Sequence, residues 1–309
     1  MEANWQRRIE LPALERGALE GALRAAGVTA GLRTYTPLPG GLVNLNVAVA
    51  LTTSPSAAVF RVYLRDREAA AKEAALLAHV RGLVRAPEVL AKGELELCVA
   101  GEPADRPWLL LSWVPGRALS DPFGALDEDG LRRAGYSVGE ALARLHACAT
   151  PDLGFLDASL DVPSPMGSLC ETWRHYLGGL LREGPAVERL DATRRRALQA
   201  YVLQHADELE PLEGRWSLLH ADCKPTNVFV DDSGALTGLL DWEFAWSGPP
   251  LFDLGQMLRT PLPAPYEAAL LEGYREEGGL LPAGWRHAAH LLDLMNLIGF
   301  LAQEGAGAR

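Results

Sequence analysis

The 309-residue chain is poor in cysteine: Cys98, Cys148, Cys170 and Cys223 are scattered along it, with no Cys-x-x-Cys pair. That spacing argues against a disulfide frame and against a zinc site. With no secretory leader ahead of them, the thiols are expected to stay reduced, in a cytoplasm. Long apolar runs are lacking too. The stretch 291–302 carries Asp293 and is too short to span a bilayer, so no membrane partner is expected. Basic charge is in deficit, with 29 Lys and Arg against 40 Asp and Glu and a formal net charge of −11, which disfavours nucleic acid. No internal repeat or long linker is visible, and the Pro/Gly-rich stretches 163–167 and 261–265 read as loops.

What remains is a chain long enough for two sizeable cores, with an ordinary hydrophobic content of 48%. Its densest chemistry lies in His220-Ala-Asp-Cys-Lys-Pro-Thr-Asn227, followed by Asp241-Trp-Glu243. Residues 228–240 between them read as a strand, an Asp-Ser-Gly turn and a second strand. A hairpin of that length brings Asn227 and Asp241 side by side. Two oxygen ligands for a hard cation, with a carboxylate beside them to orient a hydroxyl, are what a Mg-nucleotide site needs. In that reading Asp222 is the general base, Asn227 and Asp241 are metal ligands, and Glu243 either joins the metal shell or faces solvent. Lys224, two residues after Asp222, is placed to neutralise charge on the transferring phosphate. His220 is read as a buried support of the loop and Cys223 as loop packing.

These residues resemble the aminoglycoside phosphotransferase and choline kinase-like family, the small-molecule branch of the protein kinase fold. The family pattern is His-Gly-Asp, then Asn, then Asp with an aromatic and often an acid. Ala221 stands in the Gly position here, a change expected to cost little. The block Gly248-Pro-Pro-Leu-Phe-Asp253-Leu-Gly255 also matches, and the resemblance implies that Asp253 braces the catalytic loop through its backbone. It further implies an α+β, two-lobed protein kinase-like fold. Residues 1–115 would form a small β-rich nucleotide lobe, and residues 116–309 a larger, mostly helical lobe with the catalytic loop, the metal site and the acceptor.

Upstream residues fit the same pattern. Residues 12–26 read as an amphipathic helix with Pro12 at its start. The run Gly40-Gly41-Leu-Val-Asn44, between strands 32–38 and 45–51, resembles a nucleotide-positioning loop, its glycines permitting close approach to phosphate oxygens. Strand 59–64 and helix 67–80 follow. In kinases such a strand carries a basic residue that grips the phosphates, held by a Glu of the next helix; Arg61 and Glu73 occupy those places, with Arg departing from the usual Lys. Strand 107–112 runs into Trp113 and Val114, whose backbone groups the resemblance assigns to the purine. A helix over 130–146 ends in Leu142, Leu145 and a packed His146.

The expected cofactors are Mg²⁺ and ATP, with GTP as an alternative donor. Residues 1–115 hold 13 basic against 12 acidic side chains, and residues 116–309 hold 16 against 28. The acidity therefore lies in the half that would receive the acceptor, and would attract a cationic small molecule such as an aminoglycoside or a choline-like amine. A sugar, fructosamine-type or homoserine kinase fits the motif equally, and a nucleotide-binding pseudokinase is kept open by Arg61. A protein kinase is disfavoured by the lack of Asp-Phe-Gly, Ala-Pro-Glu and a long activation segment. The sequence is silent on oligomeric state.

Overall fold

The computed structural model describes residues 12–38, 44–99, 101–121 and 126–302. The chain divides into two compact units: Met1–Arg81 with Ala86–Val114 and Ala158–Leu160, and Gly82–Arg85 with Pro115–Asp157 and Asp161–Arg309.

The first unit contains α1 (Arg16–Ala25), β1 (Leu32–Pro37), β2 (Leu45–Leu51), β3 (Ala57–Val62), α2 (Arg67–His79), β4 (Val89–Val99) and β5 (Glu102–Ser112). The strands form one sheet in the order β1-β2-β3-β5-β4, every neighbouring pair antiparallel. Period-2 alternation buries Leu45, Val47, Val49 and Leu51 of β2 on one face, where they meet Leu19 and Leu23 of α1. Phe60 of β3 stacks on Trp108 of β5 with ring centroids 4.7 Å apart. Burying side chains of this size contributes about 1.5–3 kcal/mol each. The edge strand β4 turns Lys92, Glu94 and Glu96 outward, a charged rim that discourages pairing with another chain.

Helix α1 begins four residues later than Pro12 suggested. Leu14 packs on the sheet core ahead of the helix, and the Arg16 guanidinium donates to the carbonyls of Leu32 and Arg33 at 3.0 and 2.6 Å, so tertiary contacts set the start. Helix α2 is capped by Asp66, whose carboxylate accepts from Glu68 N–H at 2.8 Å.

The second unit is mostly helical. It contains β6 (Arg117–Ala118), α3 (Glu128–His146), β7 (Gly154–Phe155), α4 (Leu169–Leu180), α5 (Pro185–Arg189) and α6 (Ala192–His205). A 3-10 turn (Ala206–Leu212) leads to β8 (Ser217–Leu219), β9 (Val228–Val230), β10 (Leu236–Leu239) and β11 (Trp246–Gly248). Helices α7 (Leu251–Met257), α8 (Ala264–Glu276) and α9 (Trp285–Ala302) complete it. The short strands form two sheets, β10-β9-β6 and β7-β11-β8.

Helices α3 and α8 pack backbone to backbone. A Cβ on Gly135 or Gly139 would run into the carbonyls of Tyr266 and Leu270, so the close approach requires glycine there. All seven residues of α7 are buried, including the polar Asp253 and Gln256. Among the described residues no helix is long and apolar enough to cross a membrane.

Candidate active site

Two clusters of chemistry-bearing side chains stand out, one in each unit. In the second unit, His220 to Asn227 form the connection between β8 and β9, and Asp241 follows β10. The β9–β10 hairpin pairs Leu239 with Val228, and Leu240 N–H donates to Asn227 O at 2.8 Å. Asn227 and Asp241 therefore lie at the same end of the hairpin, as the sequence spacing suggested. Asp241 adopts φ 64°, a left-handed conformation that Asp tolerates better than most side chains.

Asp222 is the hub of this cluster. Its Oδ2 accepts from Asn227 Nδ2 at 2.6 Å, and its Oδ1 lies 3.1 Å from Lys224 Nζ. Asn227 Nδ2 also donates to the Asp222 carbonyl at 3.0 Å. With its nitrogen committed to Asp222, the amide of Asn227 has its oxygen end left to serve as an acceptor or ligand. Burial pushes the Asp222 carboxyl above the usual range; the Lys224 ammonium opposes this, and the charge of Asp241 adds to it. The hard oxygen donors and the mutual repulsion of two carboxylates both fit a divalent cation, which would relieve that repulsion.

The loop is held from behind by α7. The Asp253 carboxylate, fully buried, accepts from the N–H groups of His220 and Ala221 at 2.8 and 2.7 Å. That is the bracing role the resemblance implied for it. Asp253 Oδ2 also lies 3.1 Å from His146 Nε2, and His146 Nδ1 lies 2.9 Å from the Tyr274 hydroxyl. Burial raises the Tyr274 hydroxyl's pKa, which keeps it a donor. The chain of bonds then runs from Tyr274 through Nδ1 and Nε2–H of His146 to Asp253. One helical turn on, Gln256 accepts from Cys223 N–H at 2.9 Å and donates to the Ala221 carbonyl at 2.8 Å.

These clamps impose φ 60° on Ala221. The expectation that Ala for Gly costs little is thereby corrected: a left-handed non-glycine residue is disfavoured by roughly 1–3 kcal/mol. His220 is fully buried; its Nδ1 accepts from Asp222 N–H at 3.3 Å, and its ring lies 4.7 Å from that of Trp242. Trp242, also fully buried, donates to the Leu239 carbonyl at 2.9 Å and anchors the segment between Asp241 and Glu243. Glu243 lies in the turn that follows and is partly exposed.

The first unit holds the other cluster. Arg61 on β3 pairs in register with Asn46 on β2, and its Nε donates to Asn46 Oδ1 at 2.9 Å. Arg61 Nη1 donates to Glu73 Oε1 of α2 at 2.8 Å, and the Tyr63 hydroxyl donates to Glu73 Oε2 at 2.5 Å. Arg61 and Glu73 are 7% and 1% exposed, so this is a buried pair on a central strand and not a surface contact. Asn44, at the start of β2, is 4% exposed. Trp113 and Val114 follow Ser112, the last residue of β5; Trp113 is exposed and Val114 half-buried. Gly40 and Gly41 lie outside the described residues.

Residues 34–291 match the model of the phosphotransferase enzyme family (APH). The chain belongs to that family. Solved phosphotransferases share its fold, a protein kinase-like α+β architecture. Macrolide 2'-phosphotransferase MphH from Brachybacterium faecium superposes with a TM-score of 0.63 at 20% identity, over 92% of this chain and 90% of that one. A thermostable mutant of aminoglycoside phosphotransferase APH(4)-Ia gives 0.61 at 22% identity, over 90% of each. A putative fructosamine-3-kinase from Haemophilus somnus 129PT gives 0.63 at 16% identity, over 92% and 89%. In sequence, the uncharacterized protein YcbJ of Bacillus subtilis (strain 168) is 38% identical over 63 residues, which is 20% of each protein.

Gln256, Tyr63 and Asn46 were not singled out from the sequence of this phosphotransferase. Gln256 follows Asp253 by three residues, a helical spacing that aims both side chains the same way, and that was the available signal. Tyr63 and Asn46 reach Glu73 and Arg61 through strand register, which the sequence does not display.

Proposed function

We propose that this phosphotransferase moves the γ-phosphoryl group of a Mg-nucleotide, ATP or GTP, onto a hydroxyl of a small-molecule acceptor. The observation that carries the reading is Asp222, held by Asn227 and Lys224 with Asp241 beside it. The acceptor oxygen attacks the γ-phosphorus, the bond to the bridging oxygen breaks, and the nucleoside diphosphate leaves while the hydroxyl proton passes to an Asp222 oxygen. A carboxylate raised by burial is a stronger base than one in water, and such help contributes roughly 10²–10⁴ in rate. Neutralising Asp222 loosens its hold on Lys224, whose ammonium is then available to the phosphoryl oxygens.

Asn227 and Asp241 would hold the Mg²⁺, with Glu243 completing its shell directly or through water; the ion supplies charge neutralisation at the phosphates. To Arg61, fixed by Glu73, we assign the grip on the nucleotide phosphates, together with Gly40, Gly41 and Asn44. Trp113 and Val114 are assigned to the base through their backbone groups. A nucleotide donor is supported by the ADP-bound APH(2'')-Ib and the streptomycin-ATP-APH(2'')-IIa complex among proteins of the same fold.

The acidic second half of the chain favours a cationic acceptor, an aminoglycoside or a choline-like amine. The four cysteines are unpaired, which supports a cytoplasmic setting. A screen of nucleoside diphosphate release over aminoglycosides, macrolides, choline-like amines, sugars and homoserine tests the proposal. Release that depends on a cationic acceptor supports it, release with neutral acceptors alone overturns the charge argument, and no release with any acceptor counts against transfer itself.

A further inference from the structure

On the second unit, three ligand-type side chains from three elements converge. His205 closes α6, Glu208 lies in the 3-10 turn that follows, and His287 lies in the first turn of α9. His205 Nδ1 is 2.6 Å from Glu208 Oε1, and His287 Nε2 is 3.0 Å from Glu208 Oε2. One ligand atom from each residue lies within 4.8 Å of the other two. We propose that His205, Glu208 and His287 form a binding site for a zinc-type divalent cation, with a fourth position open to water or an exogenous ligand.

Two imidazoles and a carboxylate are a donor set suited to Zn²⁺ and its late first-row neighbours, and unlike the all-oxygen surroundings that Mg²⁺ prefers. A tetrahedral ion with bonds of about 2.0–2.2 Å needs its ligand atoms roughly 3.3–3.5 Å apart. The two contacts to Glu208, 2.6 and 3.0 Å, are shorter than that spacing, and the His205–Glu208 contact has to lengthen by somewhat under an ångström to admit the ion.

The surroundings hold the ligands in place without competing for them. The ring of Tyr201 lies 4.1 Å from that of His205 and fixes its plane. Two neighbouring cations are drawn elsewhere: Arg174 pairs with Asp207, next to Glu208 in the chain, at 2.7 Å, and Arg286, next to His287, pairs with Glu267 at 2.7 Å. His205 is mostly buried, whereas Glu208 and His287 are about half exposed at 48% and 49%. Such a site is open to solvent on one side, so the ion keeps an exchangeable position. Cysteine spacing gives no hint of it, because the donors are nitrogen and oxygen. Its ligands also lie 79 and 82 residues apart across the α6–α9 junction.

The test uses full-length, tag-free protein stripped of metal and titrated with Zn²⁺ by calorimetry in excess Mg²⁺, which occupies oxygen-ligand sites. One Zn²⁺ per chain is expected, with a rise in the unfolding midpoint. Both should be lost in His205→Gln/His287→Gln, while Asp241→Asn should still bind one. Circular dichroism checks that the metal-free fold of the double variant is intact, and His287→Gln alone, at a half-exposed side chain, should also lose the binding. No saturable binding by the wild type overturns the proposal. So does unchanged binding by the double variant, or loss of binding in Asp241→Asn alone.

Discussion

Asn227 donates its side-chain amide to Asp222 Oδ2 at 2.6 Å, and Asp222 in turn lies 3.1 Å from Lys224. Even with these partners, burial leaves the carboxyl with a raised pKa. The folded state therefore binds this proton more tightly than the unfolded chain. Between the ordinary carboxylate pKa and the raised one, stability falls as pH rises, and the cost of the charge is fully present above the raised pKa. In metal-free protein, Asp222→Asn is expected to be more stable than wild type at neutral pH, the advantage fading as pH drops below the ordinary carboxylate range. Denaturant unfolding at several pH values checks this. A variant less stable than wild type at every pH would contradict it.

Ala221 is held at φ 60° by Asp253 on its N–H and Gln256 on its carbonyl. Glycine adopts that conformation freely, but it also enlarges the unfolded ensemble, so part of the strain relief is offset. Ala221→Gly is expected to stabilise the protein by about 1 kcal/mol, a rise of roughly 2–4 °C in the unfolding midpoint. A lower midpoint would mean that the Ala221 methyl contributes packing that outweighs the strain.

The Arg61–Glu73 pair is buried, so removing one partner strands the other. Glu73→Ala should cost about 3–5 kcal/mol. Tyr63→Phe removes the hydrogen bond to the Glu73 carboxylate and should cost about 1.5–3 kcal/mol. Chemical denaturation of each variant measures these values. Losses of a few tenths for both would show that solvent reaches the cluster.

Much of this architecture is legible in the sequence where neighbours in the chain are neighbours in space. The β9–β10 hairpin follows from its apolar runs and Asp-Ser-Gly turn, and α2 from its Ala- and Glu-rich run after Asp66. The juxtaposition of Arg61 and Glu73 follows from a strand and a helix in succession. What was not legible depends on packing between distant segments. Gln256 reaches back over 33 residues to Cys223 N–H, and Tyr274 meets His146 across 128. The glycines of α3 are explained only by the α8 carbonyls they touch. The strain at Ala221 was hidden for the same reason, because a backbone dihedral imposed by Asp253 and Gln256 leaves no mark on residue 221 itself.

The most direct test of the account compares acceptor-dependent nucleoside diphosphate release and Mg-nucleotide affinity in wild type, Asp222→Asn and Asp241→Ala. Asp222→Asn is expected to lose roughly 10²–10⁴ in turnover while binding Mg-nucleotide as wild type does. Asp241→Ala is expected to lose Mg-nucleotide affinity itself. Unchanged turnover in Asp222→Asn, or wild-type Mg-nucleotide affinity in Asp241→Ala, would contradict the division of labour proposed between these two carboxylates.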